Sequence, residues 1–453
     1  MVGIYTRMTE FQSVFRARDV TTDAMKRAIS TWHELYYAKE ATEKEDPCQQ
    51  IPHTIVRKLT KTVFSEYAAT SKDAFVQGVL DAINSIRDSA MQKALIGGEC
   101  LLKPVPDGDK FRFSVVARSD VAVFGRDVFG RMTDVGTAEY TADDRYYYTL
   151  LERRMVDPAG YLTIRNYLYR STNEGVLGQY VPLKALPQYE RMADVYTFQR
   201  PVGSIGLIPL RTPVENCVDG SRDAVSVYAA AVGLIHNINV NQAQINGEFE
   251  RGESRIVVSS DMLQRDPETK KRIFKDHVFT GLNEDADTTG ITIFSPQLRI
   301  ESFEIREQSY LRSVESIIGL KRGLLSEVEA ADRTAKEITS SEGDYNLTII
   351  DFQNAWEAMI HEAVRVCGVL GQLYRVTGAH EVTPDAVAID WGNGILYDEE
   401  SAWADMKDQV ARGLLKPEIA VGWRYGMPYD TEAQRQKIRE RYMPDVLDES
   451  GEE

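Results

Sequence analysis

The sequence predicts an α+β protein of two or three compact regions. Three observations lead there: helical periodicity up to about residue 103, strand-like alternation from about 99 to 200, and helical periodicity again beyond 220. At 453 residues the chain is long enough to bury a sizeable core. In the first region Trp32, Leu35 and Tyr36, then Ile55, Leu59 and Val63, set apolar side chains three and four apart, and Pro52 suits the start of the second helix. A third helix is expected from about 71 to 96, carrying Phe75, Val79, Ala82, Ile83, Ile86, Ala90 and Ala94. Gly97-Gly98 ends it, because glycine lets the backbone turn freely.

The period then shortens. LLKPVPDGDKFRFSVV reads as a hairpin about Asp107-Gly108, a dipeptide that accepts the positive backbone angles of a tight turn. A second strand pair is expected on either side of Asp157-Pro158-Ala159-Gly160, where Tyr161, Thr163 and Arg165 alternate with Leu162, Ile164 and Asn166. The region is therefore a mostly antiparallel sheet. No GxGxxG or GxxxxGK[ST] stands at a strand-to-helix junction, so nucleotide binding has no support.

After a proline-containing stretch at 207–213, a long helix is expected over about 223–249, with an apolar stripe of Val225, Tyr228, Val232, Ile235, Ile238, Ile245 and Phe249. Its second half is rich in amides: Asn237, Asn239, Asn241, Gln242, Gln244 and Asn246. These suit either a solvated helix face or inter-chain hydrogen bonds at a subunit interface, and spacing does not separate the two. Residues 251–300 read as a small inserted module, with strands at 255–258, 278–279 and 291–294 and a short helix that Asp266 caps and Pro267 begins. A second long helix follows over about 303–318. Gly319 and Gly323 then bracket Lys321-Arg322 in a loop, and a short helix is expected over 333–339. The strongest helical period comes next, in Phe352, Trp356, Met359, Ala363, Val366, Leu370 and Tyr374. A last helical module starts near Glu399. Gly413 ends its first helix, Thr431 with Gln434 makes a capping box, and the acidic tail (Asp445, Asp448, Glu449, Glu452, Glu453) is expected to be solvated and disordered.

Composition narrows the function. With 53 Lys and Arg against 69 Asp and Glu, the formal net charge is −16, which excludes a general nucleic-acid binder held by phosphate neutralisation. It leaves room for a channel through which DNA slides, where tight ionic capture would hinder movement. No stretch approaches the roughly 18 apolar residues of a membrane span. The N-terminus lacks a basic-then-apolar signal, so folding in a reducing cytoplasm is expected, and the scattered Cys48, Cys100, Cys217 and Cys367 are read as buried free thiols.

The search for chemistry finds none. His361-Glu362 opens like a zinc-protease helix, but Arg365 stands where the second histidine belongs, and His33-Glu34 fails likewise at Tyr37. His53, His236, His277 and His380 are dispersed. Asp285, Asp287 and Thr289 alternate like calcium ligands, yet Pro296 occupies the position of the bidentate carboxylate. There is no G-x-S-x-G elbow. No catalytic residue, cofactor or metal is expected.

The whole-chain pattern is more informative: two long helices flank a small module, and a basic loop follows. Repeated about a closed axis, such helices would pack side by side as a tube wall, with the module as its rim. WHELYY at 32–37, IPHTIVRKLTKTVFSE at 51–66, ALIGGECLLKPVPDG at 94–108, TIRNYLYRS at 163–171, GLIPLRTPVEN at 206–216, NGEFERGESRIVVS at 246–259 and TAKEITSSEGDY at 334–345 carry a resemblance over nearly the whole chain. In their order and spacing they are similar to the portal proteins of long-tailed bacteriophages, in the branch typified by Bacillus phages.

The resemblance implies a phage portal fold: a wing at 1–220, stem helices at 221–250 and 301–318, a clip at 251–300, a tunnel loop or helix at 319–346, a linking helix at 347–375 and a helical crown with the acidic tail at 376–453. It implies a structural head-to-tail connector in the virion, at one capsid vertex, assembled in the host cytoplasm as a ring that is usually twelvefold. Double-stranded DNA would pass through its channel during packaging and ejection. The terminase large subunit, the major capsid and scaffolding proteins and a head-tail adaptor would be its partners, with no membrane. Lys321 and Arg322 are the candidates for DNA contact in the tunnel, and Glu248, Glu250, Arg251, Glu253 and Arg255 for charged intersubunit contacts between stem and clip. Two other classes remain open: an enzyme whose cleft is assembled from distant segments, and an interaction protein that oligomerises without enclosing a DNA-sized hole.

Overall fold

The computed structural model describes residues 13–37, 47–252, 255–258, 264–265, 272–273, 291–294, 298–327, 335–392 and 399–443. The expected strand at 278–279, the helix capped by Asp266, the Asp285 turn, Glu253 and the acidic tail lie outside them. The chain divides into two compact units, Met1–Val63 with Thr70–Ala388, and Phe64–Ala69 with Ile389–Glu453.

In the first unit the N-terminal helices are α1 (Asp23–Tyr37), α2 (Ile51–Val63), α3 (Ala74–Asn84) and α4 (Arg87–Gly97). The single helix expected over 71–96 is thus two. The Ser85 hydroxyl donates to the Ala82 carbonyl, and Ile86 leaves helical geometry at φ −115°, ψ 3°. The break lets Val76, Val79, Leu80 and Ile83 face the core on one helix and Ala90, Met91, Ala94 and Leu95 on the next. Asp73 caps α3 by accepting from the Phe75 and Val76 amides.

The strands that follow are β1 (Glu99–Asp107), β2 (Lys110–Ala117), β3 (Val121–Arg126), β4 (Met132–Ala142), β5 (Tyr147–Val156), β6 (Leu162–Ser171), β7 (Gln179–Val181), β8 (Val195–Thr197) and β9 (Ile208–Arg211). They build a sheet ordered β9-β1-β2 and a larger one ordered β3-β4-β5-β6-β7, with β8 also on β6. Every pairing is antiparallel, as the alternation predicts. Both expected turns form, with Gly108 at φ 64° and Gly160 at φ 88°. The larger sheet buries both faces: Ala122, Ala138 and Leu151 pack with Phe15 and Leu177, while Tyr148, Leu150 and Leu168 pack under Leu183, Leu186 and Tyr189.

Charge is buried between these layers. Lys103 lies 2.6 Å from Glu139 and 3.0 Å from Glu152, and Arg154 lies 2.7 Å from Glu152. Burial alone would raise the Glu152 carboxyl, but Arg154 and Lys103 overcome it and hold it at about 2. A second cluster surrounds Arg118, which has no exposed surface. Its Nε lies 3.1 Å from Glu99, its Nη1 donates to the Val121 carbonyl and its Nη2 to the Thr21 hydroxyl.

Residues 223–231, expected to begin the long helix, do not. Ala224 to Tyr228 are buried on all sides, and two of their backbone groups find partners far off in the chain. Val227 N–H donates to the Leu95 carbonyl, and the Val225 carbonyl accepts from the Thr212 hydroxyl. Gly98, at φ 85°, lies so close that a Cβ there would sit 2.4 Å from the Ala224 carbonyl oxygen. Helix α5 (Val232–Arg251) therefore starts late. It leads to β10 (Arg255–Val258), which pairs antiparallel with β11 (Ile291–Phe294), and the chain returns in α6 (Ile300–Ile318). A two-residue pair, Gln264–Arg265 with Arg272–Ile273, lies between those strands.

The short helix at 333–339 and the strongly periodic segment are one 40-residue helix, α7 (Ala335–Tyr374). No proline interrupts it, and its glycines, Gly343, Gly368 and Gly371, each cost only about 1 kcal/mol relative to alanine. Phe352, Trp356, Met359, Ala363, Val366 and Leu370 are all buried, as their period predicts, while Tyr374 is not.

The second unit contains α8 (Glu399–Ala411), α9 (Pro417–Arg424) and α10 (Glu432–Tyr442). The Thr431–Gln434 capping box is present, Ile438 is fully buried, and Arg439 meets Glu418 at 2.8 Å. Of the cysteines, Cys100 and Cys367 are buried and burial pushes both thiols up. The burial expected for the other two fails. Cys48 is half-buried beside the start of α2 and Cys217 is exposed, because each lies in a connecting segment rather than on an inward-facing element.

The Glu152 cluster gives the fold a signed acid sensitivity. The carboxyl sits below its unfolded value of about 4.3, so its contribution is present above that pH and is lost as pH falls towards about 2. Acid unfolding followed by near-UV circular dichroism should show a loss of stability in that window, and Glu152→Gln should flatten it.

Candidate functional site

The candidate site is the α5–α6 pair with the loop at its returning end. The two helices run antiparallel, because their partners run in opposite order: Asn241 meets Phe303, Arg306 and Glu307, whereas Glu248 meets Arg299. The seam is polar. Buried Asn241 donates to the Phe303 carbonyl at 3.1 Å and accepts from Arg306 Nε at 2.7 Å, and Arg306 Nη2 also donates to Gln244. Asn239, also buried, accepts from the Gln49 amide at 3.0 Å, and the Gln49 side chain donates to Gln242 at 2.9 Å. The hydrogen bonds of these four close within one chain. Asn237 and Gln244 remain on the exposed side. Burial raises the neighbouring Glu307 carboxyl; its bond from Asn241 works against that and the Glu304 charge adds to it.

At the far end, Arg299 lies 3.1 Å from Glu248, which is largely buried, and its guanidinium stacks 5.9 Å from the Phe303 ring centre. Of the five residues expected between stem and clip, Glu248 thus has a partner in its own chain and Glu250 is exposed. Arg251 ends α5 and Arg255 opens β10 opposite Phe294, their side chains lying outside the described residues together with Glu253.

At the near end Gly319 closes α6 in left-handed geometry at φ 76°. The loop that follows folds back on a carboxylate that sequence reasoning passed over. Glu315, fully buried, accepts the amides of Gly323, Leu325 and Ser326 and the Ser326 hydroxyl. Lys58 of α2 donates to the Leu324 carbonyl. The structure brings Lys321 and Arg322 together on this loop but gives them different settings: Lys321 is half-buried and Arg322 exposed. Burial raises the Tyr345 hydroxyl on α7, and the Thr62 bond and the Lys321 charge pull it back. A signal for Glu315 was present, since it falls on the stripe of Leu311, Val314 and Ile318 just before a glycine-bracketed loop.

Among the described residues no group of three or more His, Cys, Asp or Glu is placed to hold a metal ion. Arg365 pairs with Glu362 at 2.6 Å, and His361 lies 3.6 Å from Glu357. No described helix is long and apolar enough to cross a membrane.

No known family model matches the sequence, and no curated protein does. Solved structures do resemble it, among them two chains of native gene transfer agent particles. One is a chain in the neck of a native gene transfer agent particle computed with C12 symmetry, at TM-score 0.49 and 12% identity over 91% of this chain and 96% of that one. The other is a chain in the virion of a native gene transfer agent particle, at TM-score 0.47 and 11% identity, with the same coverage. At that degree of likeness neither match assigns this chain a task.

The seam yields a direct test. Asn241→Leu leaves Arg306 Nε without its acceptor and should cost about 1–3 kcal/mol. Arg306→Met on that background should recover part of the loss, because both polar partners are then gone. Urea denaturation of the single and double variants reads both effects.

Proposed function

We propose that this chain is a non-enzymatic structural subunit, the portal protein of a tailed bacteriophage, which closes with copies of itself into a ring around double-stranded DNA. The observation that carries the reading is the α5–α6 pair. Two antiparallel helices, each roughly 30 Å long at 1.5 Å per residue, are sealed together within one chain, lead to a small β module and return to a loop bearing Lys321 and Arg322. Such a pair is a ready-made stave, and a head-to-tail contact repeated about a closing axis makes a tube. The family resemblance of the sequence supports the same reading.

The physical task suits the charge. A chain at −16 lines its channel with a wall that repels the phosphate backbone, so DNA slides rather than sticks, and a few cations make passing contacts. Arg322 and Lys321 are those cations in this reading. The module at 251–300 receives the terminase large subunit and later the head-tail adaptor. ATP hydrolysis belongs to the motor, consistent with a sequence that has no phosphate loop. Residues 1–220 form the wing among the capsid and scaffolding proteins, 319–346 the tunnel region, 347–375 the linking helix and 376–453 the crown, with the ring at one vertex of the virion.

Native mass and negative-stain images of one sample test the ring. Twelve chains of 51.1 kDa weigh about 613 kDa. A mass at or near that multiple, with an open hole wide enough for duplex DNA, is expected; a stable monomer at high concentration with capsid partners present would remove the reading. In assembled rings, Lys321→Ala with Arg322→Ala should lower packaging or DNA retention and leave ring mass unchanged. Rings lost, with normal packaging in those that form, would sink the assignment of these two residues.

A further inference from the structure

We infer that Glu315 is the positioning residue of the 320–326 loop: a latch whose single carboxylate holds the loop against the end of α6. Three backbone amides converge on one of its oxygens, from Gly323 at 3.1 Å, Leu325 at 2.6 Å and Ser326 at 2.9 Å, and the Ser326 hydroxyl donates to the other at 2.7 Å. Amides gathered in this way form an anion nest, here filled from within the chain.

The placement makes little sense for the helix itself. Glu315 stands in the last turn of α6, where a negative charge opposes the helix dipole, and on the buried side with Leu311, Val314 and Ile318. A carboxylate removed from water needs its acceptor sites filled, and the loop fills them. The dependence is mutual. Swinging the loop out strips the carboxylate of four donors at once, so partial release leaves a buried charge under-satisfied, and the loop moves as a unit or stays. Glycines stand where such a movement would hinge, Gly319 at φ 76° and Gly323 at φ 90°. From the other side Lys58 fixes the Leu324 carbonyl to α2. Glu315 thereby sets where Lys321 and Arg322 stand without meeting DNA. That last link rests on the channel reading; the latch does not.

Hydrogen exchange of the full-length protein, resolved to single amides, tests it. In Glu315→Ala the Gly323, Leu325 and Ser326 amides should exchange faster by roughly tenfold or more, since local opening no longer breaks the nest. Glu315→Gln keeps an acceptor but no charge and should fall between Ala and the parent. Amides in the middle of α6, at Leu311 and Val314, should not change. Unchanged loop exchange in Glu315→Ala, or acceleration spread equally along α6, would overturn the latch. Should the alanine variant fail to fold, Glu315→Gln and Ser326→Ala give the same ranking from the milder side. Faster loop exchange in Glu315→Gln with DNA retention in rings unaltered would keep the latch and remove the loop from the channel wall.

Discussion

A guanidinium shut away from water is costly unless acceptors and opposite charge surround it, and Arg118 is such a group. It draws on Glu99 at the start of β1, the Val121 carbonyl at the start of β3 and the Thr21 hydroxyl just before α1, with Asp223 3.9 Å away. Residues 21, 99 and 223, far apart in the chain, thus meet at one planar cation. Beside it, Gly98 lets the 223–231 segment pass against the end of α4, and that segment delivers the chain to α5. The helix pair thus stands on a buried charged cluster, and a residue too small or uncharged at Arg118 would disturb the direction in which α5 departs.

The same economy recurs wherever polar groups are buried. Lys103, Glu139, Glu152 and Arg154 compensate one another between the sheets; Asn241 and Arg306 do so between the helices; Glu315 does so with backbone. Buried ions of this kind contribute little net stability, since desolvation offsets most of the attraction, but they penalise any arrangement that separates them. They specify geometry more than they add stability.

The sequence made the regular elements legible because their signals are local. The hairpin at Gly108, the turn at Gly160, the capping box at Thr431 and the buried stripe from Phe352 to Leu370 all follow from residues within a few positions of one another. At the start of α5 and along its amides, a distant partner decided the outcome. The 223–231 stretch is apolar at helical spacing, but Leu95 and Thr212 claim its backbone, and nothing nearby announces them. The amides of α5 looked like a face for water or for another subunit. Asn239 and Asn241 are instead consumed by Gln49 and Arg306, about 190 and 65 residues away in sequence. Of the site itself, the two cations were legible as a glycine-bracketed pair. Glu315 was visible as a charge on an apolar stripe, but its role needed the fold of the loop that follows.

The polar seam between α5 and α6 has a mechanical side. Apolar side chains hold two helices together by interdigitation, and the attraction itself carries no preferred direction. Hydrogen bonds weaken steeply once distance or angle departs from a narrow range. The bonds from Asn241 to Arg306 and Phe303, and the Arg299–Glu248 fork at the other end, fix the axial register at two levels along the pair. Under force along its length the pair therefore resists shear, and behaves as one stiff strut rather than two rods free to slip.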